Sequence, residues 1–341
     1  MSENATPTTP RVPSELLAFI GQYETFYIVG HVEPDGDCVA SQLALGSYLE
    51  RTQRKRVKYF NVGPFERREI MRYESRFKPR LSSTERMGDD TPATIIVDCS
   101  GLDRVGEIAV DLEGLPAAVI DHHATGVPFG DVQFIDTSAP AACYLVQLVL
   151  ERMGEPISHE EAELLLFGIA TDTGYFRHAD EYSAGLFSAI SRLLQGGASP
   201  KTAHQQMMGG HTPESRRLLA KFLERTEYVC DGAAAITYEL NDDYAAFGRT
   251  NRDSDTLYQL LFGVSGVRLV AFIREEGHAT CTASLRSIDS IDVGAIAKAF
   301  GGGGHKRAAG FHTDAPLSEV RRRIEDEFLR AIHEDSESAG D

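Results

Sequence analysis

FYIVG (26–30) followed at once by HVEPDGDCVAS (31–41) decides the fold class. Five apolar, β-favouring residues end in a polar turn that holds Pro34 and Gly36, and a helical pattern runs from about Cys38 to Arg51. A buried strand entering a helix through a turn is the opening of a β-α unit. The same grammar recurs downstream. VKYFNV (57–62), TIIVD (94–98), AAVID (117–121) and VQFID (132–136) are further strand candidates, with helices expected over 139–153, 158–171 and 181–195. Strands that do not alternate, separated by helices, predict a parallel sheet covered on both faces by helices, an α/β domain.

The texture changes after QGGASP (195–200). Residues 201–226 read as a helical connector. EYVCD, AAAITYEL, VRLVAFIRE and HATCTASLRS then supply strands, and helices are expected near 254–263, 291–299 and 317–333. The expected organisation is a domain over 13–200, a connector over 201–226 and a smaller mixed α/β domain over 227–335.

Composition narrows the function. The 341 residues are 42% hydrophobic, with no apolar run long enough for a bilayer. The polar start MSENATPTTPRVP lacks the pattern of a secretory signal. Five scattered cysteines form no CxxC pair, which argues against a zinc knuckle or a disulfide framework and fits a reducing, cytoplasmic setting. A net charge of -17 argues against long duplex nucleic acid, yet leaves room for a small anion where cations concentrate in one cleft.

His31, Asp35, Asp37, Asp98 and the run Asp121-His122-His123 all follow strand candidates, and Asp172 ends the apolar run LLLFGIATD. The carboxyl ends of parallel strands line the ligand crevice of such sheets. Crowded carboxylates raise one another's pKa and oppose folding unless cations join them. Carboxylate with imidazole suits Mn, Fe or Zn, and carboxylate-rich sets suit Mg or Mn. Four Asp with two or three His suffice for two ions, which at about 3.5–4 Å apart assist phosphoryl hydrolysis. A single Asp at a strand end is more often a helix cap; the ordered set HxxxDxD, VD, DHH and TDTG is what points to metal.

SLRS (284–287) and GGGGHKRAAGF (301–311) form the second constellation. Gly302, Gly303 and Gly304 let backbone approach a ligand and offer amides to phosphate, His305 adds a donor, and Arg286 suits bidentate phosphate binding. A flexible linker is the alternative.

In order, HVEPDGD, VD at 97–98, DHH at 121–123, TDTGYFRH at 171–178 and GGGGHKRAAG at 301–310 resemble the DHH phosphoesterase family with its C-terminal DHH-associated domain, over about residues 15–335. The size resembles the branch acting on short oligonucleotides and 3′-phosphoadenosine 5′-phosphate (pAp). The resemblance implies two Mn2+ ions, with Mg2+ or another divalent metal as substitute. His31, Asp35 and Asp98 would hold one ion, and Asp37, Asp98, His122 and Asp172 the other. Asp121 would orient a ligand, and His123 would contact the scissile phosphate or protonate a leaving group. Arg286, Ser287, Gly302, Gly303, Gly304 and His305 would hold the substrate, with Arg104 and Arg177 as further phosphate contacts or surface salt bridges. The expected activity is hydrolysis of dinucleotides and other short oligonucleotides to mononucleotides, and of pAp to AMP. The alternatives are a soluble phosphodiesterase for cyclic or linear di-AMP and an inactive nucleotide-binding module. A homodimer is the default assembly.

Overall fold

In the computed structural model the described residues are 9–82, 91–124, 126–127, 129–179, 183–248, 251–277 and 279–338. The five apolar runs form five parallel strands: β1 (Thr25–Val29), β2 (Arg56–Phe60), β3 (Ala93–Val97), β4 (Ala117–Asp121) and β5 (Val132–Ile135), in the order β2-β1-β3-β4-β5. Alternate residues serve opposite faces. Phe26 and Ile28 join the larger core with the helices Ser14–Gln22, Gly36–Gln53, Ala142–Met153, His159–Asp172 and Ala184–Gln195. Tyr27 and Val29 join a smaller core with Phe60, Ile96, Val105, Ile108 and Leu112, under two short helical segments. β1, β3 and β4 are therefore covered on both faces, which is why they read as continuous apolar runs, whereas β5 exposes Gln133 and Ile135 on one face.

The chain turns to β2 on one side of β1 and to β3 on the other, so the order reverses between β1 and β3. The crevice of a doubly wound sheet opens at the strand ends beside such a reversal. His31 follows β1 and Asp98 follows β3. Close helix packing brings in the remaining groups. A Cβ on Gly36 would stand 2.5 Å from Thr171 Oγ1 and 2.6 Å from its Cγ2, so glycine there lets the Gly36–Gln53 and His159–Asp172 helices approach.

The chain divides into two compact units, the first ending at Gly210 and the second beginning at His211. That division falls inside the stretch 201–226, whose two helices go one to each unit. Pro200–Met208 lends Ala203 to the first core, and Pro213–Glu224 lends Leu218, Leu219 and Phe222 to the second.

The second unit is a six-stranded mixed sheet, β10-β11-β9-β8-β7-β6, built from β6 (Glu227–Val229), β7 (Ala234–Glu239), β8 (Leu269–Gly277), β9 (Thr280–Ser287), β10 (Gly303–His305) and β11 (Ala308–Thr313). Only β7 and β8 pair in parallel. Val293–Lys298 and Leu317–Ser338 cover one face, and Pro213–Glu224 and Ser254–Phe262 pack on the other.

The helix expected over 139–153 begins at Ala142, because Pro140 precedes it and the Asp37 carboxylate occupies the amides of Ala142 and Cys143. The helix expected over 181–195 spans Ala184–Gln195, and its expected first residues, 181 and 182, lie outside the described residues. The helix Asn241–Phe247 and the pairing of the glycine run as a strand were not anticipated.

Candidate metal centre

Asp35 caps the Gly36–Gln53 helix, its Oδ1 accepting from the Cys38 amide at 3.1 Å. Asp37, the second residue of that helix, is fully buried. Its carboxylate accepts from the Ala142 and Cys143 amides at 2.5 and 2.8 Å, at the start of another helix, where the dipole favours negative charge. Asp98 leaves β3 with φ 54°, a left-handed conformation that Asp tolerates better than β-branched residues and that turns its side chain out of the strand's alternation.

Two imidazoles converge on Asp98. His31 Nε2 lies 3.5 Å from Oδ2, and His122 Nε2 lies 3.4 Å from Oδ1 and 3.5 Å from Asp172 Oδ2. Asp35 and Asp37 stand 4.0 Å from His31 Nε2 and His122 Nε2 respectively. Both rings are held from behind. His31 Nδ1 donates to the Val32 carbonyl at 2.7 Å, and His122 Nδ1 to the Ala139 carbonyl at 3.1 Å. A proton fixed on Nδ1 leaves the Nε2 lone pair facing the carboxylates, the tautomer a metal requires.

The donors fit divalent cations. Asp98 Oδ1 is buried and has no hydrogen-bond partner among the described residues, which for a carboxylate oxygen demands a cation or water. Ligand atoms about 2.0–2.2 Å from one ion stand about 3.0–3.6 Å apart; the contacts at 3.4–3.5 Å fall in that span, and those of Asp35 and Asp37 just beyond it. Electrostatics agrees. Burial, then the charges of Asp98 and Asp172, push Asp37 well above the usual carboxylate range. Burial raises Asp172 to about 6, with His122 opposing and Asp98 reinforcing. Burial works against a charge on His122, yet contact with Asp98 and the charge of Asp37 raise it to about 10. Asp98 must therefore stay ionised among groups that oppose one another, a conflict that cations resolve.

His123 differs from its neighbour. Its Nδ1 bonds Asp121 Oδ1 at 2.7 Å, and its side chain is 43% exposed, whereas Asp121 is buried. The Asp121 contact raises the His123 pKa. The Arg104 carbonyl accepts from the Val32 amide at 2.8 Å, so its loop abuts the His31 turn, and its exposed side chain makes no ion pair or hydrogen bond among the described residues. Arg177 Nε is bound to the Gly174 carbonyl at 2.9 Å, within a turn where Gly174, Tyr175 and Phe176 are all left-handed. Neither arginine forms an ion pair with a described residue. Cys38, to which the sequence reading gives no chemistry, groups with His31 and Asp98 as donor atoms within 4.8 Å of one another.

In the second unit, register places His305, Ala308 and Arg286 in one row across β10, β11 and β9, hence on one face. The neighbouring row is Gly303, Gly310 and Ser284. Small residues make a floor, with His305 and Arg286 at its rim. The Arg286 guanidinium lies 4.8 Å from the Tyr258 ring centroid. Gly302 and Gly304 are needed by the hairpin itself. A Cβ on Gly302 would meet the Gly310 carbonyl at 2.3 Å, and one on Gly304, at φ 144°, the Ala308 carbonyl at 2.6 Å. Gly303 faces open space. Ser287 is not brought to this face: it is buried on the opposite side of β9, its hydroxyl donating to Asp289 at 3.3 Å. Ser284 and Tyr258 were missed from sequence; the period of two, counted back from Arg286, would have found Ser284.

Residues 25–169 match the DHH family, N-terminal domain, and residues 235–334 match the DHHA1 domain. The chain is 28% identical over 316 residues to the bifunctional oligoribonuclease and PAP phosphatase NrnA of Thermus thermophilus, covering 89% of this chain and 90% of that protein. It is 27% identical to the protein of the same name from Bacillus subtilis, covering 87% and 92%. An exopolyphosphatase-related protein from Bacteroides fragilis shares the fold, with a TM-score of 0.76 at 22% identity over 93% of this chain and 96% of that one. With its acidic and histidine motifs gathered at the strand ends of the first unit, the chain joins a DHH-family N-terminal domain over residues 25–169 to a DHHA1 domain over residues 235–334.

Proposed function

We propose that this protein is a two-metal phosphoesterase that hydrolyses short oligonucleotides to mononucleotides and pAp to AMP. The observation that carries the reading is the buried Asp98 carboxylate, flanked by His31 and His122, with one oxygen left unpartnered. The relatives named above, similar over about nine-tenths of the chain, support the substrate class.

His31, Asp35 and Asp98 would hold one ion, and Asp37, Asp98, His122 and Asp172 the other. Mn2+ suits this mixed imidazole and carboxylate set, with Mg2+ as substitute. Bound ions would supply Lewis acidity toward the phosphoryl oxygens and lower the pKa of coordinated water. Asp121 holds His123 with Nε2 free, so that a protonated His123 donates to a phosphate or leaving-group oxygen. Arg104 and Arg177 are phosphate contacts of the first unit. Arg286 and His305 hold the substrate's terminal phosphate in the second, over the Gly303 floor.

Ion-exchange analysis of products tests the reading. With Mn2+, a 5′-phosphorylated dinucleotide and pAp should be consumed, and a 24-mer left nearly untouched. Exclusive turnover of a cyclic dinucleotide would replace the substrate assignment; no turnover of any, with metal bound, would sink the enzyme reading.

A further inference from the structure

The second unit contains a cavity of about 420 Å³ lined by Asn241, Tyr244, Arg252, Arg274, Glu275 and Glu276. That volume lies within the range of about 300–1,000 Å³ common for small-ligand sites. The residue that asks for a ligand is Arg274. It is partly buried on β8 and makes no hydrogen bond or ion pair with any described residue. Burial and the adjacent Arg252 both disfavour its charge. Arg252, by contrast, is committed to Glu239, with Nε 2.7 Å from Oε2. A half-buried guanidinium with no side-chain partner among the described residues presents its donors to a ligand in the cavity.

The lining decides what that something is. A phosphate would meet Arg274, but also the carboxylates of Glu275 and Glu276. An apolar ligand would offer Arg274 no acceptor, whereas Glu275 already accepts from the Asn241 amide at 3.2 Å and Glu276 stands 3.5 Å from His312. A nucleobase is planar and neutral, and carries donors and acceptors on one edge. Guanine matches best: O6 and N7 accept from a guanidinium, while N1–H and the N2 amino group donate to a carboxylate. Tyr244, 52% exposed at the rim, offers a ring face for stacking.

The position matches as well. Arg286 is opposite Val270 in the β8–β9 register, and Arg274 lies four residues further along β8 on the same face. At a strand rise of about 3.4 Å per residue, the two side chains originate about 14 Å apart, comparable to the reach of a dinucleotide. The Tyr258 ring carries the Arg286 guanidinium at 4.8 Å.

We propose that this cavity is a guanine-preferring base subsite, which receives a base of the short oligonucleotide whose phosphate is held by Arg286 and His305. It rests on the oligonucleotide reading above and adds a sequence preference to it.

Calorimetry on the full chain in chelator, where no hydrolysis intervenes, tests it with pGpG, pApA and pCpC. pGpG should bind about tenfold or more tighter than pCpC, and Arg274→Gln and Tyr244→Ala should each remove about that much pGpG affinity without lowering Tm. Arg286→Ala should weaken all three ligands alike. Equal affinities in the wild type, or unchanged pGpG binding in both Arg274→Gln and Tyr244→Ala, would overturn the subsite. So would inorganic phosphate binding that Arg274→Gln abolishes, since that would make the cavity an anion site. If the Mn2+-loaded enzyme hydrolyses the dinucleotides at equal rates and bases are not discriminated, the subsite alone fails. If none of them binds or is hydrolysed, the oligonucleotide reading fails with it.

Discussion

Asp98 Oδ1 lies 3.4 Å from His122 Nε2, too far for a good hydrogen bond and near the spacing of two ligands on one cation. The Ala139 carbonyl holds the His122 ring from behind and a left-handed backbone sets the direction of Asp98, so closing the gap would cost one or the other. Replacing Asp98 with Asn keeps the shape and removes the charge. Mn2+ affinity should fall by at least about a hundredfold, and turnover with it. Isothermal titration with Mn2+, run beside a dinucleotide assay, checks both.

Metal should also stabilise the fold. At a free concentration a hundred times Kd, one bound ion adds about 2.7 kcal/mol. Chelator-treated wild type should therefore gain Tm on addition of Mn2+, and Asp98→Asn should not. Differential scanning fluorimetry with and without metal separates the two.

His123→Gln should leave metal content unchanged, because the His123 Nδ1, 3.8 Å from Asp98 Oδ1, is already bonded to Asp121 at 2.7 Å. Loss of a proton donor should cost about 10²–10⁴ in kcat. Metal analysis and steady-state kinetics on the same sample test this split; loss of metal in the variant would make His123 a ligand instead.

Gly302 and Gly303 should separate. Gly302→Ala drives a methyl into the Gly310 carbonyl and Phe311, so the hairpin should lose about 1–3 kcal/mol. Gly303→Ala has open space around it and should fold normally. A raised KM with unchanged Tm in Gly303→Ala would place substrate over that row.

Asp243, in the second unit, gives a pH signature of its own. Buried at the start of the Asn241–Phe247 helix, it is bonded by Lys221 at 2.9 Å, by Arg225, and by the Leu240 amide at 3.1 Å. Burial alone would raise its pKa, but these partners hold it at about 2. A folded-state value below the unfolded one means the stabilisation is fully present above about pH 4 and is lost as pH falls toward 2. Asp243→Asn should therefore be about 2 kcal/mol less stable than wild type at pH 7, with the gap closing near pH 2. Urea unfolding across that range measures it.

The first unit was legible because its strands are buried on both faces and end in residues that sequence alone marks as chemical. Asp98 shows the limit. Its position after TIIV is visible, but its left-handed backbone, which aims the carboxylate between His31 and His122, is not. Asp37 is similar: nothing local reveals that amides 105 and 106 residues away receive it. In the second unit, glycine composition suggests a loop, whereas the run pairs as β10 because Gly302 and Gly304 allow a backbone approach that any Cβ would block. Arg274 and Tyr244 carry no motif at all. They meet only through the ladder and a helix that weak periodicity concealed.

The most direct test of the central claim is the number of Mn2+ ions bound per chain in the form that turns over a 5′-phosphorylated dinucleotide, measured by native mass spectrometry on samples assayed in parallel. The account predicts two ions in the active wild type, and loss of both the second ion and the activity in Asp98→Asn. Undiminished hydrolysis by a chain holding one ion or none would contradict it.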